Sequence, residues 1–141
     1  MPDECLTARN LSESWRKDNR GSRISPIWGK SNCDTKQMVR DGRPWFRFVG
    51  EAGNRLLDTC PPVYSCGTYG GIWTDQPMPT RVGVVTTVFV YASRDGRGKG
   101  YTCKQSIWNI SVMRCSDSPH DLIYRYDNDY KGCNFGFCSM D

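Results

Sequence analysis

The residues with the most chemistry in this chain are its eight cysteines: Cys5, Cys33, Cys60, Cys66, Cys103, Cys115, Cys133 and Cys138. A cysteine can ligate a metal, exchange disulfides or form a permanent bridge, and spacing helps to separate these uses. Neither Cys60 and Cys66 nor Cys133 and Cys138 have the short gap of a zinc knuckle, and there is no C-x-x-C to run a redox cycle. His120 is the only histidine, so a Cys₂His₂ site would lack its second imidazole. The sequence therefore predicts no metal and no cofactor. An even count of eight predicts four structural disulfides and an oxidising compartment. Spacing alone leaves the pairing open among on the order of a hundred alternatives.

Catalytic groups are harder to assemble. His120 sits in Ser118-Pro119-His120-Asp121, a polar, turn-forming stretch that reads as solvated surface. Carboxylates are present, but nothing in their placement selects an acid and base pair. Gly96-Arg97-Gly98-Lys99-Gly100 alternates glycine with cations, yet it lacks the strand-to-helix setting of a phosphate-cradling loop and reads as a hairpin tip. No catalytic residue is assigned. Two N-glycosylation sequons are present, Asn10-Leu11-Ser12 and Asn109-Ile110-Ser111. Asn109 falls on the more polar face of its predicted strand, where a glycan can stand in water.

The elements that must position these groups are mostly strands. Trp45-Phe46-Arg47-Phe48-Val49 is a short aromatic strand stopped by Gly50 and Gly53. Residues 82–91 are β-branched and aromatic on both parities, which predicts a strand covered on both faces. Residues 106–114 alternate, with Trp108, Ile110 and Val112 on one face and Ile107, Asn109, Ser111 and Met113 on the other. Leu122, Tyr124 and Tyr126 likewise oppose Ile123 and Arg125. Ahead of these strands Thr7 is placed to cap a short helix on which Leu11 and Trp15 share a face.

Composition sets the class. The chain has 141 residues, a formal charge of +4 and 38% hydrophobic residues, with a mean hydropathy of −0.62. So thin a core needs covalent help, because bridges offset chain entropy that burial cannot. No apolar run reaches the ~18 residues of a membrane span, and no basic-then-apolar signal precedes Cys5, so the chain reads as a mature segment or an excised module. Its cations are scattered rather than gathered into a stripe, which argues against nucleic acid as a partner. The expectation is one domain over 1–141: an N-terminal arm, 1–32, tied by Cys5, and a compact β body over 33–138. The fold class is mainly β, a small disulfide-rich extracellular domain with several antiparallel strands, long loops and at most two short helices.

The ordered residues carry more than composition does. Trp45-Phe46-Arg47-Phe48, Gly50, Gly53, Cys60-Pro61-Pro62 and Cys66-Gly67-Thr68 are followed by Ile72-Trp73, Pro77 and Gly83-Val84-Val85. Then come Ser111-Val112-Met113-Arg114-Cys115, Tyr124-Arg125-Tyr126 and Cys133-Asn134-Phe135-Gly136-Phe137-Cys138. With Asp3-Glu4-Cys5 and Leu11 to Arg16 at the start, this order resembles the cysteine-rich extracellular domain of the uromodulin and zymogen-granule membrane glycoprotein family over nearly the whole chain. The resemblance implies the pairs Cys5–Cys115, Cys33–Cys133, Cys60–Cys103 and Cys66–Cys138. It departs at Val90 and Lys104, where other members carry one further cysteine pair. It departs again at Asp127-Asn128-Asp129, which holds no sequon where members that present a glycan after the Tyr-x-Tyr strand have one.

The function this implies is a non-catalytic, secreted recognition module that binds an extracellular glycan or glycoprotein, or presents its own glycan, without a membrane span and as a monomer when isolated. A structural matrix spacer is the alternative reading, and a secreted hydrolase the third. Trp28, Tyr69, Trp73 and Tyr130 lie in loop-like contexts and form the candidate contact surface, against the reading that at least half of them pack under loops. The segment 67–81, rich in turn formers and tied at Cys66, is expected to be a long surface loop carrying Trp73 as its contact residue. The competing reading makes Trp73 a core plug beneath that loop.

Overall fold

The computed structural model describes residues 2–17, 32–62, 64–95 and 100–141. Two helices, α1 (Asp3–Thr7) and α2 (Asp34–Arg40), accompany nine strands: β1 (Arg9–Leu11), β2 (Phe46–Phe48), β3 (Arg55–Leu56), β4 (Gly70–Trp73), β5 (Thr86–Asp95), β6 (Tyr101–Arg114), β7 (Leu122–Tyr126), β8 (Phe135–Phe137) and β9 (Ser139–Met140). Seven of them form one sheet in the order β1-β2-β7-β6-β5-β4-β8, and β3 pairs with β9 in a second, two-stranded sheet. The protein is mainly β, with the two short helices expected. The large sheet is mixed rather than purely antiparallel, because β1 joins β2 and β8 joins β4 in parallel at its two ends. Parallel neighbours need long crossovers, and the long connections of this chain supply them.

Alternation decides the layers. Trp108, Ile110 and Val112 of β6 are buried with Val88 and Val90 of β5, Tyr124 and Tyr126 of β7 and Phe46 and Phe48 of β2 in the principal core. The aromatic rings meet there at tilted and edge-on angles, with Phe46 5.0 Å from Phe137 and Trp108 5.0 Å from Phe135. The opposite face of the sheet is covered only in part. Met113 and Ile123 pack with Cys5 and Cys115, and Trp73 and Tyr91 pack with Cys66 and Cys138. Between those two groups Phe89 of β5 and Ile107 of β6 are exposed.

Three expectations are corrected. The helix expected to start at Thr7 ends there: α1 carries Asp3 and Glu4 in its first turn, and the Thr7 hydroxyl donates to Asp3 O at 3.2 Å. Leu11 instead lies on β1, buried at the sheet edge beside β2, and Trp15 lies in a 3₁₀ turn, Ser14–Arg16. Tertiary pairing outweighs the weak helical spacing of that segment. The run 82–91 is not covered on both faces, since Val84, Val85 and Phe89 are exposed and the strand begins at Thr86. Nor is 67–81 a loop throughout, because Gly70–Trp73 form β4, every residue of which is buried. A side chain at Gly71 would meet the Cys138 sulfur at 2.6 Å, and one at Gly70 the Phe135 ring at 2.5 Å. Those glycines mark close approach within a strand, not a turn. The hairpin tip at 96–99 lies outside the described residues.

Candidate binding site

Four disulfides frame the molecule: Cys5–Cys115, Cys33–Cys133, Cys60–Cys103 and Cys66–Cys138, with Cα atoms between 4.9 and 5.9 Å apart. Cys5–Cys115 ties α1 to the chain just after β6, and Cys103 is the one cysteine that lies on a strand. Cys33–Cys133 joins the approach to α2 to that of β8, and Cys60–Cys103 holds the connection after β3 against β6. Among the described residues there is no free cysteine and no cluster of histidine, cysteine and carboxylate side chains fit for a metal. Where the family resemblance places a further cysteine pair, Val90 is fully buried in the core, while Lys104 is exposed, 3.1 Å from Asp75 and over the Tyr91 ring.

The structure does not gather the four candidate aromatics into one surface. Trp73 lies on β4 and is 5% exposed. Its indole N–H donates to Cys103 O at 2.9 Å and its ring packs 5.2 Å from that of Tyr91. This corrects its placement on a surface loop. Tyr69 is half-buried and meets Tyr64 edge-on. Tyr130 is exposed on one side and stacks on Trp108 with the other, at 5.6 Å. Trp28 lies outside the described residues. Both sequon asparagines, Asn10 on β1 and Asn109 on β6, are exposed.

A pocket of about 220 Å³ opens elsewhere, between β3, the segment after β4 and the turn before β7. Leu56, Leu122 and Tyr124 form its apolar floor, with Met78 and Pro119 beside them, and Arg55, Asp58, Gln76 and His120 supply its polar groups. Arg55 Nη1 lies 3.2 Å from His120 Nε2, while its Nε–H is buried without a partner among the described residues. The Tyr124 oxygen accepts from the Leu56 N–H at 3.2 Å. Sequence reading missed this site because its members are scattered over three segments of chain, 55–58, 74–78 and 119–124. His120 was legible only as a turn residue, and it is indeed exposed in a turn.

Burial pushes the Tyr124 hydroxyl up to about 12, against the opposing pull of the Leu56 N–H and the Arg55 charge. Tyr126 is pushed up too, by its burial and by Tyr130. A phenol whose folded value is raised contributes fully below the unfolded value of about 10 and loses that contribution as pH rises through its folded value. Between those two pH values the unfolded chain has released the proton and the folded one has kept it. Stability should therefore fall by about 1.4 kcal/mol per pH unit from Tyr124 alone. Denaturant midpoints measured from pH 9 to 11.5 check this, and Tyr124→Phe should make the slope shallower. Midpoints that stay level across the range would contradict it.

The mixed sheet, the four bridges and the aromatic core define a small cystine-stapled β module, and comparison with known proteins places it. The chain belongs to the uromodulin-like domain family, whose sequence profile matches residues 46–139. It is similar to rat (Rattus norvegicus) uromodulin, 33% identical over 85 residues, which is 60% of this chain and 11% of that protein. It is also similar to the pancreatic secretory granule membrane major glycoprotein GP2 of dog (Canis lupus familiaris), 28% identical over 79% of this chain and 19% of that protein. The human (Homo sapiens) form of that glycoprotein is 27% identical over 98% of the chain and 22% of its own length. The chain thus spans roughly a tenth to a fifth of the relatives it matches. No helix among the described residues is long and apolar enough to cross a membrane.

Proposed function

We propose that this chain is a non-catalytic extracellular recognition module, and that it binds a sugar residue of a glycan or glycoprotein in the pocket between β3 and the turn before β7. The pocket carries the reading. An apolar floor under a few convergent polar groups is the usual design of a small-ligand site, and about 220 Å³ is below the ~300 Å³ where drug-sized sites begin. It suits a single ring, whose C–H face meets Leu122 and Tyr124 while its hydroxyls reach Gln76, Asp58 and Arg55. Strand pairing of β3 with β9 and of β7 with β6 holds the floor rigid, which limits the ordering cost of binding. Among the described residues Asp58 is the one carboxylate of the lining, and no glycosidase-like carboxylate pair is assembled among them. The family assignment and the four disulfides support the extracellular setting and argue for binding rather than catalysis.

A glycan array with the secreted chain tests the reading, with Arg55→Gln as the variant. Arg55 is the charged donor of the site, and the loss of one charge-assisted hydrogen bond should weaken binding about 10- to 100-fold while leaving the thermal midpoint close to that of the parent. Binding to no glycan, or binding that Arg55→Gln leaves untouched, would remove the pocket from the function. A hydrolase panel that found turnover would replace it with the enzymatic reading.

A further inference from the structure

The open middle of the outer sheet face has an occupant encoded in the chain itself. Phe89 is 50% exposed on β5 and Ile107 59% exposed on β6. Val85, just ahead of β5, is 54% exposed. The strip lies between two covered ends, with Met113 and Ile123 packed at one and Trp73 and Tyr91 at the other. An apolar strip in the middle of a regular sheet is a liability for a secreted protein, since it can pair with another copy or bind apolar surface at random. In register, Phe89 stands directly opposite Asn109, and Tyr91 opposite Ile107. Asn109 is exposed and opens the sequon Asn109-Ile110-Ser111. Directly opposed residues on antiparallel strands have their Cβ atoms about 5 Å apart, and diagonal neighbours remain within reach of a large side chain.

We propose that Asn109 carries an N-linked glycan whose first N-acetylglucosamine lies over Phe89 and Ile107, closing the strip that the protein leaves open. A pyranose ring has an apolar face of axial C–H groups and a polar rim. Laid on the Phe89 ring it removes apolar surface from water on one side and keeps its hydroxyls solvated on the other. Asn109 stands directly opposite Phe89 in the strand register, so little freedom is lost beyond that of the linkage. Asn10, on the β1 edge, has no exposed large apolar side chain on its paired strand, whose partners of Arg9, Asn10 and Leu11 are Phe46, Arg47 and Phe48. A glycan there would be a solvated appendage. The inference concerns a face distinct from the pocket and stands or falls independently of it.

The test uses the chain secreted from eukaryotic cells. Glycopeptide mass spectrometry should find Asn109 occupied. Three forms are then compared by 1-anilinonaphthalene-8-sulfonate fluorescence and by light scattering: the intact glycoprotein, the same protein trimmed by endoglycosidase to a single N-acetylglucosamine, and Asn109→Gln. The trimmed form should remain as dark and as monomeric as the intact one. Asn109→Gln should bind the dye several-fold more strongly and self-associate at high concentration. Adding Phe89→Ser and Ile107→Thr to Asn109→Gln should return both readings to the glycosylated level. If Asn109→Gln is not secreted, complete enzymatic removal of the glycan from the folded protein supplies the bare face. An unoccupied Asn109, or a bare face with unchanged dye binding and oligomeric state, overturns the proposal. So would a trimmed form that behaves like the bare one, since the first sugar is then not the cover.

Discussion

Asp34→Ala should cost about 3–5 kcal/mol of stability, a large part of the ~5–15 kcal/mol that holds a domain of this size together. The Arg16 side chain is 2% exposed, and its guanidinium donates to Asp34 Oδ2 at 2.6 Å and to Asp34 Oδ1 at 3.0 Å. Asp34 Oδ2 also accepts the backbone N–H of Phe137 at 2.8 Å. Glu13 closes the other side of the guanidinium at 3.0 Å, and Trp15 lies 4.2 Å away across its face. Burial would lower the Arg16 pKa, but the Asp34 carboxylate beside it, with Glu13 in support, holds it above its ordinary value. One carboxylate therefore joins the 3₁₀ turn at Ser14–Arg16, the first turn of α2 and β8.

Removing that carboxylate leaves a buried cation with only the partly exposed Glu13 as counter-charge and a buried N–H with no acceptor, and the cost is that of these under-satisfied groups rather than of the pair. The double substitution Arg16→Met with Asp34→Leu should accordingly recover much of the loss. Urea unfolding of the three proteins decides it. A cost below about 1 kcal/mol for Asp34→Ala would mean that water reaches Arg16.

Reduction of all four disulfides should abolish cooperative folding at physiological temperature. The bridges join residues 110, 100, 43 and 72 positions apart, and loops of that length each contribute roughly 4 kcal/mol in the chain-entropy treatment. The loops overlap, so the contributions do not add. Two of them nonetheless rival the whole stability of a small domain. Circular dichroism and thermal melts with and without reductant are the measurement, and a reduced form that still melted cooperatively above 37 °C would mean that the aromatic core suffices. Among single bridges Cys66–Cys138 should matter most. Both sulfurs are fully buried against Trp73 and Leu57, so serine at either position adds an unsatisfied hydroxyl to the lost constraint.

The amino-acid sequence by itself determined the local and the chemical parts of this protein. Alternation of residues placed β6 and β7 and sorted the side chains of each onto two opposite faces, because side-chain direction in a strand has a fixed period of two. An even complement of cysteines with no metal-like spacing meant bridges, since thiols in an oxidising compartment have few other stable ends. The order of cysteines and aromatics carried the family, at an overall identity of only 27–33% to the relatives named above.

What the tertiary structure alone decided is everything that depends on which distant segments touch. β4 was hidden because Gly70-Gly71 reads as a turn, and only the Phe135 ring and the Cys138 sulfur pressed against those positions show why glycine must stand in a strand. Burial of Trp73, which turns a candidate contact residue into part of the interior, follows from that same strand. Openness of β5 at Phe89 was invisible for a related reason, since a run apolar on both parities does not reveal that one face lacks a covering layer. Arg55 and His120, 65 residues apart, become neighbours only when β3 and the turn before β7 are packed side by side. Arg16 and Asp34 pass for two ordinary surface charges in the sequence, and they become an interior ion pair because the 3₁₀ turn and α2 are folded onto β8, where water no longer competes for either charge.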